Sequence, residues 1–379
     1  MANAPVLRSS RMRVLVTGSN GFLGKNLCLQ LKELGTIEVL QITRESSELE
    51  LESALNQADF IFHLAGVNRP QNVSAFQTGN ADFTQSICDS LINIARKVPI
   101  AYASSMQVGL DNPYGKSKQL AEDALTAYAK KCNAKVYIFR LPNVFGKWCK
   151  PNYNSAVATF CHNIARELPI KINDPASELQ LVYVDDVISA FISLIQSTNS
   201  QDGLQEISPI YNTSVGFVAT QIETFKNSRN SLITERVGTG FLRALYSTYV
   251  SYLPLEKFSY EIPKYADPRG EFVEMLKTQD SGQFSFFTAH PGIKRGGHYH
   301  HSKTEKFLVI RGKARFGFRN MISGEKHEII TEGAKPEIVE TVPGWTHDIT
   351  NVGEDEMIVM LWANEIFDRE KPDTIAEKV

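Results

Sequence analysis

The run Arg13-Val14-Leu15-Val16-Thr17-Gly18-Ser19-Asn20-Gly21-Phe22-Leu23-Gly24 decides the fold of the first part of this chain. It opens as a short apolar β-type segment, and leucines at positions 27, 31 and 34 then recur at helical spacing. The glycines therefore stand where a first strand turns into a first helix. Backbone without side chains can approach a pyrophosphate there, and the helix N-terminus favours its charge. We predict a dinucleotide site contacted by Gly18, Asn20, Gly21, Phe22, Leu23 and Gly24.

Strand and helix patterns alternate after this run. The sequence predicts strands at 37–43, 59–66, 100–105 and 136–141, helices at 72–98 and 114–132, and lobe helices at 154–167, 185–197 and 216–228. Such alternation is typical of an α/β doubly wound parallel sheet (a Rossmann fold) that binds ligands at the carboxyl ends of its strands. We therefore expect Leu64, Ala65 and Gly66, which end the third strand, to contact the cofactor.

Tyr114 and Lys118 are spaced i and i+4, so a helix presents both on one face. Ser104 and Ser105 end the strand before that helix. The set, with the GxxGxxG spacing of the glycines, resembles the extended short-chain dehydrogenases and reductases. A phenol with an unperturbed pKa of about 10 becomes a better proton donor to a carbonyl oxygen when an ammonium lies nearby. We predict that Ser105, Tyr114 and Lys118 are catalytic, that Tyr114 and Lys118 also contact the cofactor, and that Ser104 contacts substrate, although the spacing leaves open which serine is catalytic.

Arg44 follows the predicted second strand, with Glu45 one residue later. An acidic side chain at this point accepts hydrogen bonds from the adenosine ribose 2′-hydroxyl, whereas an arginine suits a 2′-phosphate. The alternative is that Arg44 is an ordinary solvated loop cation. The order of the residues favours NADPH as the cofactor.

The segment Arg140-Leu141-Pro142-Asn143-Val144-Phe145-Gly146 resembles the Arg-x-x-Asn-Val-Tyr-Gly segment of extended nucleotide-sugar enzymes. In that family the asparagine region faces a sugar diphosphate. The next eight residues, 147–154, combine cations, aromatic rings and amides, which can pair phosphates and stack on a base or sugar. We predict substrate contacts from Asn143, Lys147, Lys150 and Asn154.

The C-terminal third carries a second pattern, with Gly292, His298-Tyr299-His300, Glu305, Gly312 and then His347. His298 and His300 alternate, so on a strand both point to one face, and Glu305 and His347 can reach that face from other strands. The spacing resembles a cupin metal site on a small all-β barrel. Three imidazoles and one carboxylate suit zinc better than iron or nickel. Four protein ligands leave open whether the metal is catalytic or structural.

Composition agrees with two domains in a soluble chain. At 379 residues and 42% apolar content it can bury more than one core, and we predict a flexible extension at 1–12, a reductase domain at 13–250 and a cupin domain at 251–379. A net charge of −2 gives no reason to expect nucleic acid or membrane as partner. Five cysteines without a close CxxC pair favour a reducing compartment, and no apolar run reaches membrane-spanning length, so we expect a cytoplasmic protein.

Both halves together resemble the bifunctional CapF-type enzymes of capsular polysaccharide biosynthesis, on residues 145–155 and Gly297-His298-Tyr299-His300-His301. The resemblance implies a homodimer acting on a UDP-2-acetamido-2,6-dideoxy-4-ketohexose. The cupin would epimerise C3, and the reductase would then reduce C4 with NADPH. The implied product is UDP-N-acetyl-6-deoxy-L-talosamine, a precursor of UDP-N-acetyl-L-fucosamine.

Two other interpretations stay open at this point. One is a simple NADPH-dependent 4-ketosugar reductase whose cupin is a structural or dimerisation module. The other is a cofactor-sensing regulator, although a sensor needs no proton donor such as Tyr114. The sequence does not identify the base for an epimerisation: His290, His301, Lys306 and His327 could each serve, but an ordinary surface residue is an equally good interpretation of each.

Overall fold

The computed structural model describes residues 11–197, 200–267, 270–273, 276–278, 282–365 and 370–379. Of the predicted N-terminal extension, residues 1–10 lie outside this part of the chain, and the first strand begins at Met12. Packing groups the chain into two units, residues 1–144 with 182–210 and residues 145–181 with 211–379. Residues 145–181 and those directly after 210 thus group with the C-terminal strands. The predicted domain bounds stay a prediction.

The first unit contains a six-stranded parallel sheet in the order β2-β1-β3-β4-β5-β8. Its strands are β1 (Met12–Thr17), β2 (Ile37–Ile42), β3 (Phe60–His63), β4 (Ile100–Ser105), β5 (Val136–Leu141) and β8 (Gly203–Gln205). Its helices are α1 (Phe22–Glu33), α2 (Glu48–Gln57), α3 (Ser74–Phe76), α4 (Phe83–Asn93), α5 (Pro113–Cys132) and α7 (Val184–Gln196), with a π-helix at Gln77–Asp82. The predicted doubly wound parallel sheet is confirmed.

The central strands are continuous apolar runs because helices cover both faces of the sheet. Val14, Leu15 and Val16 of β1 are fully buried, for example. Helix α5 begins sharply because Asn112 accepts a hydrogen bond from the N–H of Gly115 at 2.8 Å and Pro113 occupies the first turn. This start fixes the position of Tyr114 in the first turn of α5.

Strands β6 (Asn143–Phe145) and β7 (Glu178–Tyr183) contain the points where the chain passes between the units. In the second unit, β9 (Tyr211–Ser214) pairs with residues 178–181 of β7. The lobe helices are α6 (Ala156–Ala165), α8 (Val215–Ser231) and α9 (Gly240–Ser251), and a 3₁₀ turn follows at Leu255–Lys257. Helices α6 and α8 correspond to two of the predicted lobe helices, while the third, α7, belongs to the first unit.

The rest of the second unit is β-structure, as predicted, and its two five-stranded sheets are antiparallel. One five-stranded sheet has the order β11-β20-β17-β22-β15, and another has the order β19-β18-β21-β16-β23. The strands of the first are β11 (Ser259–Glu261), β15 (Gln283–Ala289), β17 (Glu305–Arg311), β20 (Glu337–Glu340) and β22 (Met357–Ala363). Those of the second are β16 (Lys294–Tyr299), β18 (Lys313–Asn320), β19 (Lys326–Glu332), β21 (Trp345–Asn351) and β23 (Ile375–Ala376). Four short strands pair outside these sheets, β10 (Ile233–Thr234) with β14 (Lys277–Thr278) and β12 (Lys264–Asp267) with β13 (Gly270–Val273).

A buried charge network joins the lobe to the β-structure within the second unit. The carboxylate of Glu340 on β20 accepts from Arg229 of α8 and from Lys306 of β17. Lys306 also donates to the hydroxyl of Tyr260 at 3.1 Å. Because one carboxylate satisfies both cations, neither is left as an isolated buried charge.

In the described part of the chain, none of the helices has the length and apolar character of a membrane span.

Candidate active site and metal cluster

The glycine loop between β1 and α1 is held against the end of β3. Gly18 has a φ of +68°, and a Cβ added there would lie 2.7 Å from the backbone nitrogen of Ala65. A Cβ on Gly24 would lie 2.2 Å from the carbonyl oxygen of Gly18, so only glycine lets α1 pack this closely. No side chain caps α1, and its first turn holds no acidic residue, so the N–H groups beyond Gly21 are available to an anion. Asn20, Phe22 and Leu23 belong to this same loop and first turn.

The loop Leu64-Ala65-Gly66 lies beside the glycine loop. The N–H of Leu64 donates to the carbonyl of Thr17 at 3.3 Å, and a Cβ on Gly66 would come 3.3 Å from Nζ of Lys118. Asn80 fixes the next residue, since its side chain accepts from the N–H of Val67 at 2.8 Å and donates to the Val67 carbonyl at 2.9 Å. Asn80 was not predicted, because an asparagine within a helical segment is not by itself a sequence signal, and its burial is seen only in the structure.

Lys118 is buried, and its ammonium hydrogen-bonds a backbone carbonyl. Its Nζ donates to the carbonyl of Ala103 at 2.9 Å and lies 6.0 Å from the ring centroid of Tyr114. Burial lowers the pKa of Lys118 to about 8, while the nearby Glu122 raises it. Burial raises the pKa of Tyr114, and a hydrogen bond with Ser105 lowers it in part. The pKa of Tyr114 is therefore raised overall, with burial as the largest cause.

The two adjacent serines have different partners. Ser105 lies close enough to the Tyr114 hydroxyl to lower its pKa, and the Ser105 hydroxyl accepts from the backbone N–H of Gln107 at 3.2 Å. The hydroxyl of Ser104 donates instead to Oε1 of Glu122 at 2.5 Å, and Arg140 binds both carboxylate oxygens at 3.0 and 2.6 Å. The geometry thus places Ser105, and not Ser104, beside the tyrosine. Glu122 was missed, although it lies one helical turn beyond Lys118 on the same face of α5.

The other predicted contacts differ in exposure. Arg44 is exposed in the turn after β2. Asn143, Lys150 and Asn154 are exposed as well, whereas Lys147 is only 1% exposed. In the second unit, Nζ of Lys147 lies 5.4 Å from the Trp148 ring, and Nζ of Lys150 lies 5.3 Å from the Tyr153 ring. The side chain of Lys147 is therefore buried within its loop and does not project into solvent.

The four predicted metal ligands come together. Ligand atoms of His298, His300, Glu305 and His347 all lie within 4.8 Å of one another. His298 on β16 pairs opposite His347 on β21, with ring centroids 4.7 Å apart. Nε2 of His300 lies 3.2 Å from Oε2 of Glu305, the first residue of β17. The cluster thus takes its side chains from strands of both five-stranded sheets.

The cluster fits a divalent cation in its charge and in its unpaired atoms. Within the described residues, neither ring nitrogen of the buried His347 has a hydrogen-bond partner, and its Nε2 is 3.6 Å from Glu305. Burial, together with the neighbouring His347 and His300, lowers the pKa of His298 to about 3, and burial also lowers the pKa of His347. For Glu305, burial raises the pKa, but the hydrogen bond with His300 and the charge of Lys303 bring it well below its usual value. The lowered pKa values of His298 and His347 favour neutral rings beside an ionised Glu305, as a metal ion requires of its ligands.

Two further residues support this cluster. Nζ of Lys303 pairs with Oε1 of Glu305 at 2.7 Å, on the oxygen that does not face the imidazoles. Nδ1 of His300 hydrogen-bonds the backbone carbonyl of Asp373. Sequence reasoning missed both, because Asp373 is far along the chain and Lys303 stands in no recognisable spacing.

The residues considered as bases lie outside the group of four ligands. The side chain of His290 is 82% exposed, and Lys306 is bound to Glu340. His327 packs against the ring of Phe258, and His301 packs against Tyr299. The structure therefore gives none of them a contact that singles it out.

Comparisons with known proteins agree with this arrangement. Residues 14–212 match the model of the NAD dependent epimerase/dehydratase family, and residues 265–375 match a polysaccharide biosynthesis C-terminal domain. The chain belongs to the NAD dependent epimerase/dehydratase family, with that second domain attached.

Two relatives extend over nearly the whole chain. The UDP-2-acetamido-2,6-beta-L-arabino-hexul-4-ose reductase of Pseudomonas aeruginosa is 60% identical over 365 residues, covering 96% of this chain and 98% of the relative. The crystal structure of the capsular polysaccharide assembling protein CapF from Staphylococcus aureus is 41% identical, with a TM-score of 0.67 over 97% of this chain and 100% of that one. The resemblance to CapF-type enzymes is thereby confirmed. A UDP-glucuronic acid 4-epimerase from Bacillus cereus shares the fold, at 19% identity and a TM-score of 0.52 over 57% of this chain and 83% of that one.

Proposed function

We propose that this chain is a bifunctional nucleotide-sugar enzyme. It epimerises C3 of a UDP-2-acetamido-2,6-dideoxy-4-ketohexose at the C-terminal cluster and then reduces C4 with NADPH in the first unit. The proposed product is UDP-N-acetyl-6-deoxy-L-talosamine. The observation that carries the proposal is the set Ser105, Tyr114 and Lys118, brought together in a chain 60% identical to a UDP-ketosugar reductase.

For the reduction, bound NADPH supplies the hydride. Tyr114 donates its phenolic proton to the ketone oxygen, and the hydroxyl of Ser105 holds that oxygen in place. The ammonium of Lys118, 6.0 Å from the ring centroid of Tyr114, would then stabilise the phenolate that forms. The exposed guanidinium of Arg44 is proposed to pair the 2′-phosphate of the cofactor.

For the epimerisation, the C3 proton is removable because C3 lies beside the C4 ketone. Bound zinc would polarise a carbonyl oxygen and so favour loss of the proton. His298, His300, Glu305 and His347 would hold that ion.

The proposed contacts to the nucleotide sugar are Asn143, Lys150 and Asn154, whose exposure leaves them accessible to a diphosphate sugar. By likeness to CapF-type enzymes we also propose a homodimer, which light scattering tests.

One experiment separates the two activities in the full-length protein. The 4-ketosugar is incubated in deuterated water with wild type or with Tyr114→Phe, with and without NADPH, and followed by NMR. We expect deuterium uptake at C3 in both proteins without NADPH, and reduction at C4 in wild type alone. Reduction without enzyme-dependent exchange would favour the monofunctional alternative, in which the C-terminal domain is structural. Failure of wild type to reduce the ketosugar would contradict the whole proposal.

A further inference from the structure

Residues 375 and 376 pair with β16, the strand that carries the proposed ligand His298 and ends one residue before His300. Ala376 pairs opposite His298, and Ile375 pairs opposite Tyr299. Beyond this pairing, the N–H of Glu377 donates to the carbonyl of Gly297 at 2.9 Å. The carbonyl of Glu377 accepts from the hydroxyl of Thr346, next to His347, at 2.7 Å. Residues 373–379, called the C-terminal segment below, are thus tied to both β16 and β21.

Asp373, the first residue of this segment, acts on His300 through its backbone. A carbonyl oxygen can only accept a hydrogen bond, so its contact with Nδ1 of His300 requires the proton to be on Nδ1. In the neutral ring this leaves the lone pair on Nε2, the nitrogen that a bound metal ion would take, 3.2 Å from Oε2 of Glu305. The contact fixes both the tautomer and the orientation of the ring, as partners of metal-binding histidines do.

The carboxylate of Asp373 holds the loop between His300 and Glu305. Oδ1 accepts from the backbone N–H of His301 at 2.8 Å. Oδ2 accepts from the backbone N–H groups of Ser302 and Lys303, each at 2.7 Å. This loop delivers Lys303 to Oε1 of Glu305, which leaves Oε2 directed at the imidazoles. One residue therefore positions two of the four proposed ligands.

We propose that the C-terminal segment is part of the metal centre and that Asp373 is a positioning residue for it. The inference rests on the metal binding proposed above. Its consequence is that metal affinity depends on residues that coordinate nothing and that follow the last ligand in the chain. Loss of such a supporting partner lowers metal affinity by about 10–100-fold.

The test uses full-length protein and three variants. In Asp373→Asn, an amide nitrogen must face either the N–H of His301 or the pair from Ser302 and Lys303, so at least one donor loses its acceptor. Deletion of residues 373–379 also removes the carbonyl partner of His300. Asp355→Asn, at an exposed side chain of the same domain, is the control for the loss of one charge. The measurements are zinc affinity by chelator competition, the visible spectrum of the cobalt(II)-loaded protein and the ¹⁵N shifts of His300.

We expect wild type and Asp355→Asn to bind about one zinc per chain with equal affinity. Asp373→Asn should bind about 10-fold more weakly or worse, with an altered cobalt spectrum, and the deletion should lose more and release the His300 tautomer. Equal zinc affinity and equal spectra in wild type and Asp373→Asn would overturn the inference while leaving the metal proposal intact. A wild type that binds no divalent ion would overturn the metal proposal, and this inference with it. If Asp373→Asn loses the circular dichroism that chelator-treated wild type retains, Asp373 serves folding alone and the positioning role is refuted.

Discussion

Replacing Lys118 by methionine is expected to stabilise the first unit while removing its reductase activity. Burial lowers the pKa of Lys118 from 10.5 to about 8, so keeping it charged costs the folded state about 3 kcal/mol at neutral pH. Methionine removes that cost but also loses the hydrogen bond to Ala103, which contributes about 1 kcal/mol. Glu122 keeps its ion pair with Arg140. The net expected gain in free energy of unfolding is about 2 kcal/mol.

The pH dependence of this gain carries a definite sign. Below pH 8, both folded and unfolded states hold the proton on Lys118, so the cost is constant. Between about pH 8 and 10.5, the unfolded state alone holds it, and the stability of wild type rises with pH relative to the variant. The advantage of Lys118→Met should therefore be largest near neutral pH and shrink through this window.

The free energy of unfolding of the first unit is measured by amide hydrogen exchange, followed by mass spectrometry of peptides from β4 and α5. The three tryptophans lie outside the first unit, so their fluorescence does not report on it. Lys116→Met is the matched control, because Lys116 is on the same helix but its side chain is 68% exposed and pairs only at the surface with Asp111. The reasoning about the buried ammonium is refuted if these amides exchange no more slowly in Lys118→Met than in wild type at neutral pH. It is also refuted if the difference in unfolding free energy between the two proteins does not change with pH.

Three other outcomes follow from the proposed function. Tyr114→Phe should retain NADPH binding, measured by fluorescence titration, but reduce the ketosugar about 10²–10⁴-fold more slowly because the acid is lost; wild-type turnover would contradict its role. Arg44→Ala should weaken NADPH far more than NADH, since only NADPH carries the 2′-phosphate, and equal weakening would remove the basis for that preference. His347→Ala should lose its zinc, measured by elemental analysis, and lose C3 exchange while NADPH binding persists; retained stoichiometric zinc would contradict the ligand set.

Local patterns predicted the parts of both sites that depend on one element of structure. The glycines of 18–24 and the pair Tyr114 and Lys118 each follow from a strand, a turn or a helix face. His298 lies on β16 as predicted, and His300 directly follows the end of that strand at Tyr299. Glu305 and His347 were accessible only through the spacing of a familiar motif, and the structure brings them to the same cluster.

What sequence reasoning missed depends on contacts between distant segments. Asn80, Glu122 and Asp373 act through hydrogen bonds to residues that the fold, and no spacing, brings near. The raised pKa of Tyr114 also depends on contacts that spacing does not reveal. Charge proximity can be inferred from an i, i+4 spacing, but the opposing desolvation depends on everything packed around the phenol.

The proposed function also fixes the order of its two steps, whatever the distance between the sites. The C3 proton is acidic only while C4 is a ketone, because only then is the resulting carbanion delocalised onto oxygen. Reduction at Tyr114 removes that ketone and so closes the route to epimerisation. Under this proposal a reductase that acted first would trap the stereoisomer that had not been epimerised, so C3 exchange must precede hydride transfer.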